Sequence, residues 1–333
     1  MEFVPILAVG FMTAYGFTPV TRRLALRLDM VDRPSKRKIH QEPIPLLGGV
    51  AIFGGFLLAM TLFTPAAHWR EFGAVLAGCL WLALVGYLDD RNGMNPYLKL
   101  LAQVVAGLVL VAAGIQVRLF GFEPLNIALT LFWIVGITNA LNLMDNMDGL
   151  AAGIAAIAAF TFFLLAASQE LLLVGRLAAA LCGATLGFLR YNFNPASTFM
   201  GDTGSLVIGF VLAVLGIKLD FQSQSQVVTW AIPLLVLGIP IFDTTLVTFT
   251  RLREGRSPFQ GGKDHTSHRI ASLGLSHRRT VVLLYGAASL LGAAALLISQ
   301  SGSQMASLVI AAVGLGGLVA FILLEVQYTR QPS

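Results

Sequence analysis

Repeated apolar runs of roughly 18 to 22 residues, broken by short polar turns, constrain this chain more than any other feature. Hydrocarbon offers no partner for exposed backbone N–H and C=O groups, so a run of that length in lipid must be a helix. Eleven runs qualify, at approximately 2–21, 47–64, 71–88, 98–116, 124–141, 149–168, 170–190, 204–219, 228–250, 279–299 and 304–327. They predict an all-α, polytopic integral membrane protein. A length of 333 residues would otherwise suggest two soluble domains, but 56% of them are hydrophobic, only 12% are charged, and the mean hydropathy is +0.78. Soluble domains carry about 25% charged residues. The first run lacks a basic start and a small-residue cleavage site, so it is expected to stay as a span rather than be removed as a signal peptide. No sequence repeat argues for an inverted-repeat transporter. The expectation is one multi-spanning domain over 1–333, with functional loops at 22–46, 89–98, 139–149, 191–203 and 251–278.

Cationic residues set the expected orientation. Of the 22 Lys and Arg residues, only Arg70, Arg118, Arg176 and Lys218 fall on one side, leaving 18 on the other. Basic loops stay in the cytoplasm, which puts the N-terminus outside, the C-terminus inside, and the chain in the cell inner membrane. Cys79 and Cys182 lie far apart inside apolar runs and read as small core residues.

Three acidic clusters sit at the ends of apolar runs, all on the basic side: Asp89-Asp90, Asn142 to Asp148, and Asp202 within Met200-Gly201-Asp202-Thr203-Gly204. Carboxylates at the edge of hydrocarbon are costly and point to function. Adjacent carboxylates such as Asp89 and Asp90 repel unless a cation relieves them, and Mg2+ with phosphate oxygens would do so; a solvated helix end is the plainer alternative. Asn142, Asp145 and Asp148 are spaced three apart, which on a helix is one face. Asp148 could instead be a helix N-cap. Gly201 and Gly204 would let the backbone approach an anion, whose natural partners are the free amides opening the next helix. Together the clusters suggest one metal-dependent site assembled from several helices.

The basic segments look complementary. Arg33 to His40, including Lys38 and His40, precedes Pro43 to Gly49; the loop after Arg251 holds Lys263, Asp264, His265, His268 and Arg269. Arg and His can bind diphosphate and sugar oxygens, although the first run could equally bind anionic headgroups. His265 and His268 have a spacing that zinc could use, but no Cys accompanies them. Lys99 opens the fourth helix, about ten residues after the acidic pair, where it could meet phosphate or snorkel into lipid headgroups. Asp243 is the one carboxylate well inside an apolar run, and pairing with a basic residue or contact with substrate both remain open.

These motifs in this order resemble the polyprenyl-phosphate N-acetylhexosamine-1-phosphate transferases (glycosyltransferase family 4), over about residues 15 to 285. The similarity is greatest to the branch that uses UDP-N-acetylglucosamine and undecaprenyl phosphate and starts O-antigen or teichoic acid synthesis. The resemblance implies Mg2+, with Mn2+ as a substitute, held by Asp202 and Asn142. It implies Asp89 and Asp90 near metal and carrier phosphate, Lys99 on phosphate, and Asn142, Asp145 and Asp148 at the nucleotide sugar, with Asp148 toward uracil. Lys38, His40, Asn194, Asp264, His265, His268 and Arg269 are the further substrate-binding candidates. The family's carbohydrate loop reads His-x-His-His, whereas this chain has His265-Thr266-Ser267-His268. That difference leaves open another UDP-N-acetylhexosamine. The peptidoglycan relative, which uses the UDP-N-acetylmuramoyl-pentapeptide donor, carries three consecutive histidines there and fits less well. Expected partners are the UDP-sugar, the lipid carrier, membrane lipids and a second copy in a homodimer, with no nucleic acid. A cation-coupled transporter is the rival from another class, but it would place its acids near the midplane rather than at one face.

Overall fold

The computed structural model describes residues 3–33, 42–219 and 225–330. Lys38 and His40 lie outside the described residues. Among the described residues thirteen α-helices dominate, with one 3-10 turn at Ala66–His68 and a two-residue antiparallel ribbon of β1 (Val31–Asp32) and β2 (Ile44–Pro45). Backbone contacts divide the chain into two compact units, 1–219 and 220–333.

The first unit holds α1 (Phe3–Arg27), α2 (Gly48–Phe63), α3 (Trp69–Asn92), α4 (Pro96–Ala112), α5 (Glu123–Met144), α6 (Leu150–Ser168), α7 (Leu172–Asn192) and α8 (Gly201–Lys218). Helix α8 is its axis: every residue from Thr203 to Gly216 is buried, against α2, α3 and α5 among others. A helix apolar all round has no face to offer water, and this one is enclosed by its neighbours. Its start is crossed unusually closely. A Cβ at Gly49 would sit 2.2 Å from the Gly204 nitrogen, and one at Gly86 would sit 2.4 Å from the Thr203 nitrogen. Glycine at both positions lets α2 and α3 pack backbone to backbone on the first turn of α8. Two side-chain contacts tie buried polar groups in this unit: Trp133 Nε1 donates to the Ala213 carbonyl at 3.0 Å, and Gln103 and Asn139 exchange side-chain hydrogen bonds. Cys79 and Cys182 are buried free thiols, as expected.

The second unit holds α9 (Gln226–Val236), α10 (Gly238–Arg253), the short α11 (Thr266–Ala271), α12 (His277–Ser299) and α13 (Ser303–Thr329). The expected single span at 228–250 is broken here: α9 and α10 meet at 77°. Pro240 has no N–H for the Val236 carbonyl, and its ring would clash with that carbonyl, so the helix breaks one turn earlier.

Among the described residues, eight helices are long and apolar enough to cross a membrane, and the bent pair would make a ninth if it is one span. The other two expected spans are α2 and α4, of 16 and 17 residues. At 1.5 Å per residue they reach only about 24 to 26 Å, less than the roughly 30 Å of hydrocarbon. Large apolar side chains face outward along many of these helices, as on Phe132 (74% exposed) and Leu290 (73%). The chain is an all-α, multi-pass membrane protein.

Candidate active site

A helix start leaves backbone N–H groups without partners and carries partial positive charge. At α8 these groups are met by Asp90, from the last turn of α3. Its Oδ1 accepts from the Asp202 N–H at 2.7 Å, and its Oδ2 accepts from the Thr203 N–H at 3.1 Å and Thr203 Oγ1 at 2.8 Å. The amides expected to bind an external anion therefore hold the chain's own carboxylate. Gly201 turns the backbone here with φ +65°, where a side chain would press within 2.5 Å of Asp90 Oδ2. Asp90 thus holds Asp202 in place. Asp90→Asn keeps one acceptor oxygen and should lose about ten-fold in transfer rate; Asp90→Ala strands two amides and a hydroxyl, each stranded group costing about 1–3 kcal/mol, and should also lower the melting temperature. Equal rates in the two variants would contradict this role.

Asp89, the neighbour of Asp90, faces Lys99. Asn95 caps α4 through the Tyr97 N–H at 2.9 Å with Pro96 in the first turn, which sets Lys99 one turn in. The Lys99 ammonium bridges Asp89 and Asp202. It is only 16% exposed, which excludes the snorkelling alternative. On the other side Asn142 Nδ2 donates to Asp202 Oδ1 at 2.7 Å and to Ser205 Oγ at 2.9 Å. The solvated helix end considered for Asp89-Asp90 is excluded too, since both carboxylates have protein partners.

Asp145 follows α5, half-buried, and its carboxylate has no hydrogen-bond partner among the described residues. Burial, then the charges of Asp202, Asp90 and Asp148, push it up to about 7. Asp148 is not the N-cap of α6; Gly149 takes that place in the left-handed region. Asp148 Oδ2 instead accepts from Asn194 Nδ2 at 3.0 Å and the Ala196 N–H at 2.9 Å. Asn192 reinforces the tie through the Gly149 N–H (3.1 Å) and the Thr198 carbonyl (3.0 Å). Thr198 and Phe199 then bond to the Pro45 carbonyl, and the Gly48 and Gly49 amides to Phe199 and Met200. The Pro43-to-Gly49 segment is stitched to the Asp202 loop in this way.

Asp89, Asp90, Lys99, Asn142, Asp145, Asp148, Asn194 and Asp202 therefore gather at one end of the first unit; among these described residues are five carboxylates and one ammonium, that of Lys99. No group of three His, Cys, Asp or Glu residues among the described ones has metal-holding geometry. Mg2+ needs only one or two carboxylates beside substrate phosphates and water. Surplus negative charge and the unpartnered Asp145 carboxylate fit a hard divalent cation, for which Asp202 and Asn142 supply oxygen donors.

The 251–278 loop of the second unit is held by buried ions. Asp264, 2% exposed, takes a two-pronged contact from Arg251 (2.9 and 2.8 Å), which is 1% exposed. Arg256 adds a bond to Asp264 at 3.0 Å. Burial pushes the Asp264 carboxyl up, but the Arg251 bonds and charge outweigh it and hold it at about 2. Asp243 resolves its open question: it accepts from His265 Nδ1 at 2.8 Å and from the Thr266 N–H at 2.6 Å. The His265 and His268 rings meet edge to face at 6.3 Å. Arg269 is 2% exposed and bonded inward.

His268 is pushed down to about 4, first by burial and then by His265, Lys263 and His277, with Asp243 opposing. It is neutral in the folded loop at pH values where an unfolded histidine, near 6.5, begins to protonate. Folded stability should therefore fall as pH drops from 6.5 towards 4, and His268→Gln should flatten that fall. Melting curves of the solubilised protein at pH 7 and pH 4.5 measure it; identical slopes in both proteins would refute it.

The family model of glycosyl transferase family 4 matches residues 72–220. A Bacillus subtilis (strain 168) protein named "Probable undecaprenyl-phosphate N-acetylglucosaminyl 1-phosphate transferase" is 35% identical over 297 residues, covering 86% of this chain and 82% of its own. The chain belongs to glycosyl transferase family 4. Similar members include the decaprenyl-phosphate N-acetylglucosaminephosphotransferase of Mycobacterium tuberculosis (strain ATCC 25618 / H37Rv), 33% identical over 84% of this chain and 78% of its own. The undecaprenyl-phosphate alpha-N-acetylglucosaminyl 1-phosphate transferase of Escherichia coli (strain K12) is 29% identical over 87% of this chain and 82% of its own. This member of glycosyl transferase family 4 is accordingly an enzyme, a phosphoglycosyl transferase. The family match spans every acidic-site residue of the first unit and stops before the 251–278 loop. Sequence reasoning missed the Arg251–Asp264 lock and Glu325. The second carried a readable signal, as an acid near the end of the last apolar run.

Proposed function

We propose that the enzyme transfers N-acetylglucosamine 1-phosphate from UDP-N-acetylglucosamine to undecaprenyl phosphate, releasing UMP and starting a lipid-linked cell-envelope polysaccharide of the O-antigen or teichoic acid kind. The observation that carries this is the Lys99 ammonium between Asp89 and Asp202, with Asn142 on the second oxygen of Asp202. It offers one cation and several metal-compatible oxygens to a reaction whose difficulty is the approach of two anions.

The acceptor phosphate has a second pKa near 6, so at pH 7 it is mostly dianionic and needs little base catalysis. Its oxygen attacks the sugar-bearing phosphorus of the donor, the bond from that phosphorus to the bridging oxygen breaks, and UMP leaves. Lys99 attracts and places phosphate oxygens, and Asp89 orients Lys99 or takes a residual proton. Asp90 keeps Asp202 at its post. Asp202 and Asn142 would hold Mg2+, which when bound would neutralise the diphosphate charge. Asp145, Asp148 and Asn194 are assigned to the nucleotide, and the family resemblance of the His265 to His268 stretch assigns that loop, within its own unit, to hexosamine recognition. The names of the relatives favour N-acetylglucosamine. Ser267 keeps other UDP-N-acetylhexosamines as the second reading.

The proposed topology has eleven crossings in the inner membrane, with the N-terminus outside and the acidic end of the first unit facing the cytoplasm. The 18-to-4 division of cationic residues supports it. The test is a panel of radiolabelled UDP-sugars incubated with purified enzyme, Mg2+ and undecaprenyl phosphate. Label should enter the chloroform phase from UDP-N-acetylglucosamine with equimolar UMP. Label from a different sugar only would transfer the proposal to that donor, and none from any donor would end it.

A further inference from the structure

Helix α13 is outward-facing and apolar along nearly its whole length; only Ala306 and Glu325 are buried. A buried carboxylate on such a helix needs compensation, and it finds it in the 251–278 loop. Glu325 Oε2 accepts from Arg269 Nη1 at 2.7 Å and Thr250 Oγ1 at 2.8 Å, and its Oε1 stands 3.0 Å from Arg253 Nη2. Its neighbours join in. The Leu324 carbonyl accepts from Arg269 Nη1 at 3.1 Å, and Gln327 Nε2 donates to the Arg269 carbonyl (3.2 Å) and Ser272 Oγ (2.8 Å). The Tyr328 ring lies 4.3 Å from the Arg269 guanidinium carbon. Arg269 also spends Nε on the Asp264 carbonyl and Nη2 on Thr250 Oγ1. Four of the five N–H groups of a guanidinium are thus engaged, on a side chain only 2% exposed. Arg269 faces inward and is not free to bind phosphate.

We infer that the end of α13, Glu325 above all, is a positioning element for the hexosamine loop: it sets donor affinity by anchoring Arg269, next to His268 and one helical turn from His265, without touching substrate. This rests on the proposed assignment of that loop to the donor sugar. Glu325 lies outside both the residues matched by the family model and the motifs read from the sequence.

The full-length enzyme in detergent tests it, with UDP-N-acetylglucosamine as donor and UMP as a competing ligand that lacks the sugar. Losing the charged hydrogen bonds in Glu325→Ala should raise the donor KM about ten-fold. The UMP inhibition constant should stay within about two-fold, and Glu325→Gln, which keeps an acceptor for Arg269, should recover most of the donor affinity. An unmoved donor KM, or a UMP constant that rises in parallel, would overturn the inference and leave Glu325 a purely structural anchor. If Glu325→Ala does not accumulate as folded protein, Gln327→Ala gives the same reading, with about a three-fold rise in donor KM expected and no rise counting against the inference. Absence of transfer by the unmodified chain would overturn the reaction itself, and this inference with it. Transfer by the unmodified chain with unchanged KM in the variants overturns this inference alone.

Discussion

Asp202→Asn should lower Mg2+-dependent UMP release by about a hundred- to a thousand-fold, the loss seen when one preorganised electrostatic group at a reacting centre is removed, while the protein remains folded and extractable. The substitution is nearly isosteric. It leaves the Asp202 backbone N–H on Asp90 and one oxygen for Asn142. What disappears is the negative charge that Lys99 pairs with, and an NH2 group could turn toward the ammonium in its place. Charge for the divalent cation goes with it. UMP release titrated against Mg2+, alongside size-exclusion profiles in detergent, separates chemistry from folding. Turnover near the unmodified rate with an unaltered Mg2+ dependence would remove Asp202 from the metal role. Lys99→Met is the companion: it leaves Asp89 and Asp202 facing each other without a cation, and should cost activity of a similar order.

Asp264→Ala should destabilise the folded protein by about 3–5 kcal/mol, the range for one half of a buried ion pair left alone. Arg251 is 1% exposed, and the substitution removes both prongs of its contact with Asp264. Replacing both partners by apolar residues of similar volume, Arg251→Met with Asp264→Leu, should restore much of the loss, because no charge is then stranded. Thermal unfolding of the three proteins measures this. The outcome also decides between two roles. A carboxylate that only contacted substrate would change donor KM and leave the melting temperature alone; the buried lock lowers the melting temperature. A melting temperature unchanged in Asp264→Ala would refute the lock. The contribution of Asp264 is complete above its ordinary value of 3.8 and is lost only as pH falls towards 2.

Much of the candidate site was legible before any fold was known, because intramembrane charge is rare enough to stand out. The acid clusters at the ends of apolar runs do converge, through α3, α4, α5 and α8. Individual roles were less legible. Asp89 and Asp90 are adjacent and chemically identical, yet one faces Lys99 and the other caps α8. On a helix, neighbours point about 100° apart, and only the position of α8 determines what each one meets. Arg269 and Asp264 read as anion-binding or substrate-binding residues from their types and neighbours. Both are instead buried against partners, and one of the Arg269 partners, Glu325, lies 56 residues away.

The sequence by itself determined the membrane-spanning helical class, the asymmetric distribution of charge, and the acid clusters at the ends of the apolar runs. These follow from hydrocarbon thickness and the cost of placing charge in it, which act on local composition. Tertiary structure decided the close crossings at Gly49 and Gly86 and the pairing of Asp243 with His265. It also decided which carboxylates are bound to partners that hold the fold. The physical reason is that a hydrogen bond is a property of two groups, and here the partners lie as far apart in the chain as Lys99 and Asp202.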